Sequence, residues 1–312
     1  MTPARLVFAG TSARVDRYLR DELGARFGRR RVAALFRAGA VRVNGRVVVK
    51  STALRPGDEV MVDPRAVVPL PLQPTPAPLA ILYCDAEVVA VDKPPGMPST
   101  AGASPLPSLA GALLHRFPEM AAVDGGRGAG LVHRLDTGTS GLVVAARTPA
   151  AYRRLRDAFS AKILVKEYLA IVRGRLAAAG VVAAPLARRP GSRRRMIVAG
   201  DAADGWVAQT EYRPIAYASD LTFVHLRMRT GVTHQLRVHL AHVGHPVLGD
   251  RRYGRGDAIA DAEEQGWHFL HALRIRGERA GVLPELAAPF PAHWLSLFAR
   301  LGWSLDLPPR WC

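Results

Sequence analysis

Leu131-Val132-His133-Arg134-Leu135-Asp136-Thr137-Gly138-Thr139-Ser140-Gly141-Leu142-Val143-Val144-Ala145 places one carboxylate and one guanidinium just ahead of an apolar run. Gly138 and Gly141 bracket two hydroxyl residues. Glycine is admitted where the backbone needs angles closed to other residues, so a sharp turn is expected here. Residues 142–145 read as a buried strand. A carboxylate on a turn anchored to a sheet is held at little entropic cost, which suits chemistry. The same spacing also fits an Asx-turn in which Asp136 only caps the backbone, and on spacing alone that is the commoner outcome.

Upstream of this stretch, residues 81–83 and 88–91 are strand-like runs around Asp85-Ala86, and Lys93-Pro94-Pro95-Gly96-Met97-Pro98 is a turn-rich loop. Residues 109–117 read as a helix. Downstream, a helix over 150–159 is followed by a strand that carries Lys166-Glu167-Tyr168. Residues 210–212 and 221–228 read as paired strands, Gly231 breaks the pattern, and 235–242 reads as a short helix. Strands alternate irregularly with helices. No GxGxxG follows a strand and no Walker Gly-Lys-Ser/Thr appears, so nucleotide-cofactor folds lose support. The expected class is α+β: a mixed, largely antiparallel sheet with flanking helices, preceded by a small module.

That module occupies residues 1–66. Val15, Tyr18, Leu19 and Leu23 recur at helical spacing, as do Val32, Leu35 and Phe36. Val41-Arg42-Val43, Asn44-Gly45 and Arg46-Val47-Val48-Val49 read as a hairpin, because Asn-Gly is the strongest short hairpin signal. Six prolines between Pro64 and Pro78 mark an extended linker, set at 67–80, with the larger domain at 81–312.

Charge points to the partner. The chain has 43 Lys+Arg against 26 Asp+Glu, a net charge of +17. Such a field draws polyanions, nucleic acid above all. The first 66 residues hold fourteen of the basic residues against six acids. Arg29, Arg30, Arg31, Arg37, Arg42 and Arg46 gather on the second helix and the hairpin. A face of this kind grips phosphates without reading bases. The stretch Arg188 to Arg195 is a second basic loop. Two cysteines, Cys84 and Cys312, form neither a disulfide framework nor a zinc pattern, so a reducing cytoplasm is expected. No long apolar segment supports a signal peptide or a membrane span. His234, His239, His242 and His245 lack the acidic or cysteine partners of a metal site, so no metal is expected.

His133-Arg134-Leu135-Asp136 with Thr139-Ser140-Gly141 resembles the signature of the RluA-type RNA pseudouridine synthases. Lys166-Glu167-Tyr168 matches in order. So do Thr230-Gly231-Val232-Thr233-His234-Gln235-Leu236-Arg237-Val238-His239-Leu240, Gly244 to Asp250, and Tyr253-Gly254. The N-terminal helices and hairpin are similar to the S4 RNA-binding module.

The resemblance implies isomerisation of uridine to pseudouridine in structured RNA, with large-subunit ribosomal RNA first and tRNA second, by a monomer that needs no cofactor. It implies that Asp136 begins the chemistry, as nucleophile or as base. Arg237 would pair with Asp136, Tyr168 would stack on the uracil, and Arg134 would fill the gap left in the RNA stack. His133 and Lys93 are expected at the substrate, Lys93 as a phosphate contact. Val232 departs from the family pattern, which has a basic residue there. A non-catalytic RNA-binding or ribosome-assembly protein that keeps the fold is the alternative. A glycosidase-like hydrolase would call for a second catalytic carboxylate, and the central motif offers none.

Overall fold

The computed structural model describes residues 3–23, 29–66, 72–100, 106–125, 128–192, 195–200, 205–254, 267–277 and 281–303. The chain divides into two compact units, Met1–Pro71 and Leu72–Cys312.

In the first unit, β1 (Ala4–Val7), β6 (Glu59–Val62), β3 (Val41–Val43) and β4 (Arg46–Val47) form an antiparallel sheet in that order. β2 (Ala13–Arg14) pairs with β5 (Ala53–Leu54). Asn44 and Gly45 both have positive φ, 50° and 79°, as a tight hairpin with the strands' own twist requires. Helices α1 (Val15–Glu22) and α2 (Arg29–Arg37) bury Val15, Leu19, Val32 and Leu35 against Val41, Val43, Val60 and Val62. Arg42 stands between Val41 and Val43 and points outward by strand alternation. Arg37, Arg42 and Arg46 are exposed. The side chains of Arg29, Arg30 and Arg31 lie outside the described residues. The periodicity did not reveal β1, because its four residues alternate only between exposed and half-buried.

The second unit is built on a mixed sheet. Its strand order is β11 (Gly180–Val182), β14 (Thr210–Ala218), β15 (Leu221–Met228), β10 (Leu164–Arg173), β16 (Leu270–Gly277), β9 (Ser140–Ala146), β8 (Val88–Lys93) and β7 (Ala80–Cys84). Every neighbouring pair on this path is antiparallel except β16 with β9, which run parallel. A short β17 (Leu286–Ala287) also pairs with β16. Strands β12 (Leu186–Arg188) and β13 (Met196–Val198) form a separate two-stranded arm around the basic loop.

The central strands are buried on both faces, which explains their continuous apolar runs. Tyr168, Ala170 and Val172 of β10 join Val143 and Ala145 of β9 beneath α3 (Leu109–Arg116) and α5 (Gln235–His242). The alternate residues Leu142 and Val144 pack against Ala151, Leu155 and Ala158 of α4 (Pro149–Ser160). Leu169 and Ile171 meet Trp294, Leu297 and Phe298 around α6 (Leu295–Leu301), a closing helix that the sequence reading did not anticipate. This is the α+β architecture expected from the sequence.

Gly141 sets the parallel junction. Its φ is +107°, and a Cβ there would lie 2.2 Å from the carbonyl oxygen of Ala272 on β16. The motif glycine therefore serves close strand approach as well as the turn. The turn itself closes one step earlier, where the Thr139 amide donates to the Asp136 carbonyl at 3.1 Å.

Candidate active site

Asp136 sits on the loop that enters β9, and that loop is clamped from behind. Ser99 Oγ accepts from the Leu135 amide at 3.1 Å and donates to the Leu135 carbonyl at 2.7 Å. On the other side of Asp136, the Thr137 carbonyl accepts from the Gly96 amide at 2.8 Å and from Lys93 Nζ at 3.3 Å. Lys93 is wholly buried and also donates to the carbonyls of Pro94 and Met97, at 2.8 and 2.9 Å. An ammonium has three donors, and all three are spent on carbonyls. The expected phosphate contact at Lys93 is therefore corrected: this lysine ties the Lys-Pro-Pro-Gly loop to the Asp136 loop. Burial pulls its pKa down to about 7, against the opposing pull of Asp136 and Asp92.

His133 is likewise turned inward. Its Nε2 accepts from the Val144 amide at 2.9 Å, and its ring stacks on Phe159 with centroids 5.0 Å apart. Burial, helped by the Lys166 charge, lowers its pKa to about 3, so the ring is neutral. Arg134, next in sequence, is exposed and lines the cleft.

The carboxylate of Asp136 turns to Arg237, not to the backbone as an Asx-turn would have it. Arg237 lies on α5, 101 positions away, and its Nη1 donates to Asp136 Oδ2 at 2.7 Å. The rest of the guanidinium is held by Asp250: Nε donates to Oδ2 at 2.6 Å and Nη2 to Oδ1 at 2.7 Å. The Asp250 side chain has no exposed surface, whereas that of Asp136 is 21% exposed. The arginine is thus gripped in a fork by a buried acid and presents its remaining edge to an acid at the cleft wall. Burial works against the Asp136 anion, but Arg237, His234 and His268 outweigh it and hold the carboxyl below its usual range. Asp250 is lowered in the same way, burial opposing and Arg237 prevailing.

Helix α5 is placed by its own side chains. Gln235 Oε1 accepts from Thr230 Oγ1 (2.9 Å) and the Val232 amide (3.2 Å), while Nε2 donates to the Gln209 carbonyl at 2.9 Å. His239 bonds Thr210 Oγ1 and the Ala184 carbonyl, and His245 bonds the Arg173 carbonyl, each at 2.9 Å. Among the described residues no cluster of His, Cys, Asp and Glu could hold a metal ion.

The cleft is about 650 Å³ and is lined by Asp136, Arg134, Arg195, Arg237, Arg251 and Arg252, with His234, Ser192 and His268 among the remaining wall residues. Its volume lies in the range of small-ligand sites. Among the described residues, one carboxylate stands with five guanidiniums, which makes it an anion-attracting pocket. Tyr168 is buried beside Leu135, Leu226 and Ala272 rather than on the cleft wall. Burial, and then the negative charge of Asp136, raise its hydroxyl pKa, so it stays a neutral phenol. Asp250, Tyr253 and His268 were not singled out from sequence. The first two lie in the matched Gly249-Asp250 and Tyr253-Gly254 blocks, and His268 carries no local signal. His268 Nε2 bonds Thr139 Oγ1 at 2.8 Å, against Gly138, where a Cβ would come 2.8 Å from the ring.

A family model described as RNA pseudouridylate synthase matches residues 87–242. The chain is similar to ribosomal large subunit pseudouridine synthase D of Vibrio parahaemolyticus, at 36% identity over 293 residues, covering 90% of this chain and 88% of the relative. An RNA pseudouridine synthase of Chloroflexus aurantiacus, itself uncharacterised, is 38% identical over 285 residues, covering 90% and 88%. Human RNA pseudouridylate synthase domain containing 1 superposes with a TM-score of 0.56 at 27% identity, covering 69% of this chain and 84% of that one. Human RNA pseudouridylate synthase domain containing 4 shares the fold, with a TM-score of 0.58 over 73% of this chain and 95% of that one. With half of the chain matched by that family model and a relative 36% identical over 90% of it, the chain is a member of the RluA-type family of RNA pseudouridine synthases.

Proposed function

We propose that this enzyme isomerises uridines of ribosomal RNA, with the large subunit favoured and tRNA second, and that Asp136 is the catalytic carboxylate. The supporting observation is the chain of contacts from Asp250 through Arg237 to Asp136. It fixes Oδ2 with a cation and, among the described residues, leaves Oδ1 without a hydrogen bond, with His234 Nε2 standing 3.7 Å away. Isomerisation breaks the N1–C1′ bond, forms a C5–C1′ bond and moves the C5 proton to N1, so atoms balance within the nucleoside. The free carboxylate oxygen serves either opening step, attack on sugar or base, or removal of a sugar proton.

The target base must leave its stack to reach such a cleft. Arg134, exposed at the cleft, fills the vacated space. Arg195, Arg251 and Arg252 hold backbone phosphates, whereas Tyr168, buried off the cleft wall, is left out of the base contacts. The unit formed by the first 66 residues acts as an S4-like anchor, with Arg37, Arg42 and Arg46 exposed on it. The related synthases named for the ribosomal large subunit support the choice of RNA, as does the net charge of +17. The enzyme works in the cytoplasm, where that RNA is made and assembled.

The test is carbodiimide mapping of ribosomal RNA from cells with and without the gene, complemented by wild type or by Asp136→Ala. Loss of defined pseudouridines, restored only by wild type, is expected. Equal restoration by both proteins would overturn the catalytic assignment and leave a non-catalytic RNA-binding protein.

A further inference from the structure

Trp206 has no part in the chemistry at Asp136, yet it is 51% exposed, whereas Trp267 and Trp294 are 6% and 0% exposed within the core. Its neighbour Val207 is exposed as well. An indole is the largest side chain, and its flat face suits stacking.

The main chain that carries it is firmly held. The Trp206 amide donates to the Leu186 carbonyl at 2.8 Å, and the Trp206 carbonyl accepts from the Leu186 amide at 3.0 Å. Leu186 also pairs with Val198 across β12 and β13, so the basic arm is three strands wide at its root. Gly205 admits the third strand: a Cβ there would lie 2.8 Å from Cβ of Pro185 and 2.9 Å from Cβ of Ala199.

Register gives the direction. Val182 pairs with Thr210, and Leu186 pairs with Trp206 four residues further along each chain, so one extended ladder runs through both. Ala208 packs with Val238 of α5, and Thr210 Oγ1 bonds His239 of α5. Alternate residues of an extended segment share a face. Trp206 therefore stands on the side of α5, the helix that carries Arg237. The far end of the arm reaches the cleft. There the Arg189 amide donates to the Arg195 carbonyl at 3.0 Å, and Ser192 and Arg195 line the cleft wall. Leu186 and Arg189 are separated by roughly 10 Å of strand. Arg188 and Arg189 are exposed between root and tip. One flat apolar face is thus mounted on an arm whose other exposed groups are cations.

We propose that Trp206 is a platform on which an unpaired base of the substrate RNA stacks, a neighbour of the target and not the target itself. The inference rests on this chain acting on RNA. The arginines of the arm hold backbone phosphates of any sequence. A base stacked beside them adds affinity that every base can supply, because each has a π-face. A duplex keeps those faces in its own stack, so the platform favours a loop or bulge. Charge decides the occupant: a second copy of a chain of net charge +17 would bring like charge to an arm already basic.

The experiment compares wild type, Trp206→Ala, Trp206→Leu, Trp206→Phe and Arg189→Ala. The probes are a short single-stranded RNA of adenosine and uridine and a blunt duplex of the same length. Affinity is measured over a series of salt concentrations, with thermal melts as the folding control. Trp206→Ala should weaken binding of the single strand by about 5- to 100-fold and of the duplex by less than about twofold. Trp206→Phe should keep most of the affinity, and Trp206→Leu, apolar but without a π-face, should resemble Trp206→Ala. The indole carries no charge, so Trp206→Ala should keep the wild-type salt slope, while Arg189→Ala lowers it by about 1. A merely structural role, in which the arm collapses, would lower the slope in both. Saturating single strand should quench wild-type tryptophan emission more than that of Trp206→Phe. Single-strand affinity of Trp206→Ala within about twofold of wild type, equal affinities in Trp206→Leu and Trp206→Phe, or a lowered slope in Trp206→Ala overturns the proposal. If Trp206→Ala fails to fold, emission decides, and equal quenching in wild type and Trp206→Phe overturns it. Self-association of wild type that Trp206→Ala abolishes, with RNA affinity unchanged, would make the patch a contact between copies and overturn it equally. A wild type that binds neither RNA brings down the RNA reading and this inference together; a wild type that binds beside an unimpaired Trp206→Ala brings down only this inference.

Discussion

Asp250→Asn isolates the buried half of the Asp136–Arg237–Asp250 chain. Four N–H donors converge on this carboxylate: Arg237 Nε on Oδ2, and Arg237 Nη2, the Arg252 amide and the Tyr253 amide on Oδ1, at 2.6, 2.7, 2.9 and 3.2 Å. Asparagine keeps its oxygen toward the three donors on the Oδ1 side. Its NH2 then faces Arg237 Nε, donor against donor. One charge-assisted bond, about 1.5–3 kcal/mol, is lost outright, and the guanidinium loses its buried countercharge. Removing one partner of a buried pair costs about 3–5 kcal/mol, so a figure of roughly 3 kcal/mol is expected. In a unit the size of Leu72–Cys312 that corresponds to a fall in Tm of about 6–12 °C. Arg237 would also lose the fork that aims its free edge, and a misplacement of about 1 Å at Asp136 lowers the rate by roughly 100-fold. Thermal melts and single-turnover rates, with RNA affinity as the control, check both parts. A variant that melts within about 2 °C of wild type and reacts at the wild-type rate would refute the reasoning that Asp250 carries the arginine.

Lys93→Met should lower the rate while leaving RNA affinity unchanged, because the ammonium holds the Pro94, Met97 and Thr137 carbonyls; weakened RNA binding with an intact rate would restore the phosphate role. Gly141→Ala should cost more than about 3 kcal/mol in a urea titration, since a Cβ meets the Ala272 carbonyl and φ is +107°; a near-wild-type midpoint would contradict the parallel junction. His268 and His271 are buried, and burial depresses them to about 4 and about 3. Between about pH 6.5 and those values the unfolded chain binds protons there that the folded one does not. Stability is then full above about pH 6.5 and declines as pH falls through the window, by up to about 1.4 kcal/mol per unit for each ring. Urea midpoints at pH 7.5, 6 and 5 test this, and equal midpoints would contradict it. Arg251→Ala and Arg252→Ala should each reduce the salt slope of RNA binding by about 1; an unchanged slope in filter binding would remove them from the phosphate contacts.

The local signals were legible where one short stretch carries the whole reason for its shape. The Asn44-Gly45 hairpin is of this kind, as are the buried run at 142–145 and the α5 segment. The partnership of Asp136 with Arg237 came from resemblance to a family, since no periodicity relates positions 101 apart. Asp250 and His268 stayed hidden for the same reason: each acts through a contact closed only when distant strands come together. Lys93 misled because an exposed and a buried lysine look alike in a string. Only the three carbonyls around its ammonium distinguish a clamp from a phosphate ligand. Gly141 invited a turn argument, while its full reason lies on another strand, at Ala272.

Strand β16 has a consequence for synthesis. It is the last long strand to be made, and it is wedged between β10 and β9 in the middle of the sheet. Until residues 270–277 have cleared the ribosome, β7, β8 and β9 have no neighbour joining them to β10, β14 and β15. The Asp136 loop and the helix bearing Arg237 then belong to two half-sheets awaiting their keystone. Before that point the growing chain exposes unpaired strand edges on both halves, so a product truncated ahead of residue 270 is expected to be inactive and prone to aggregate.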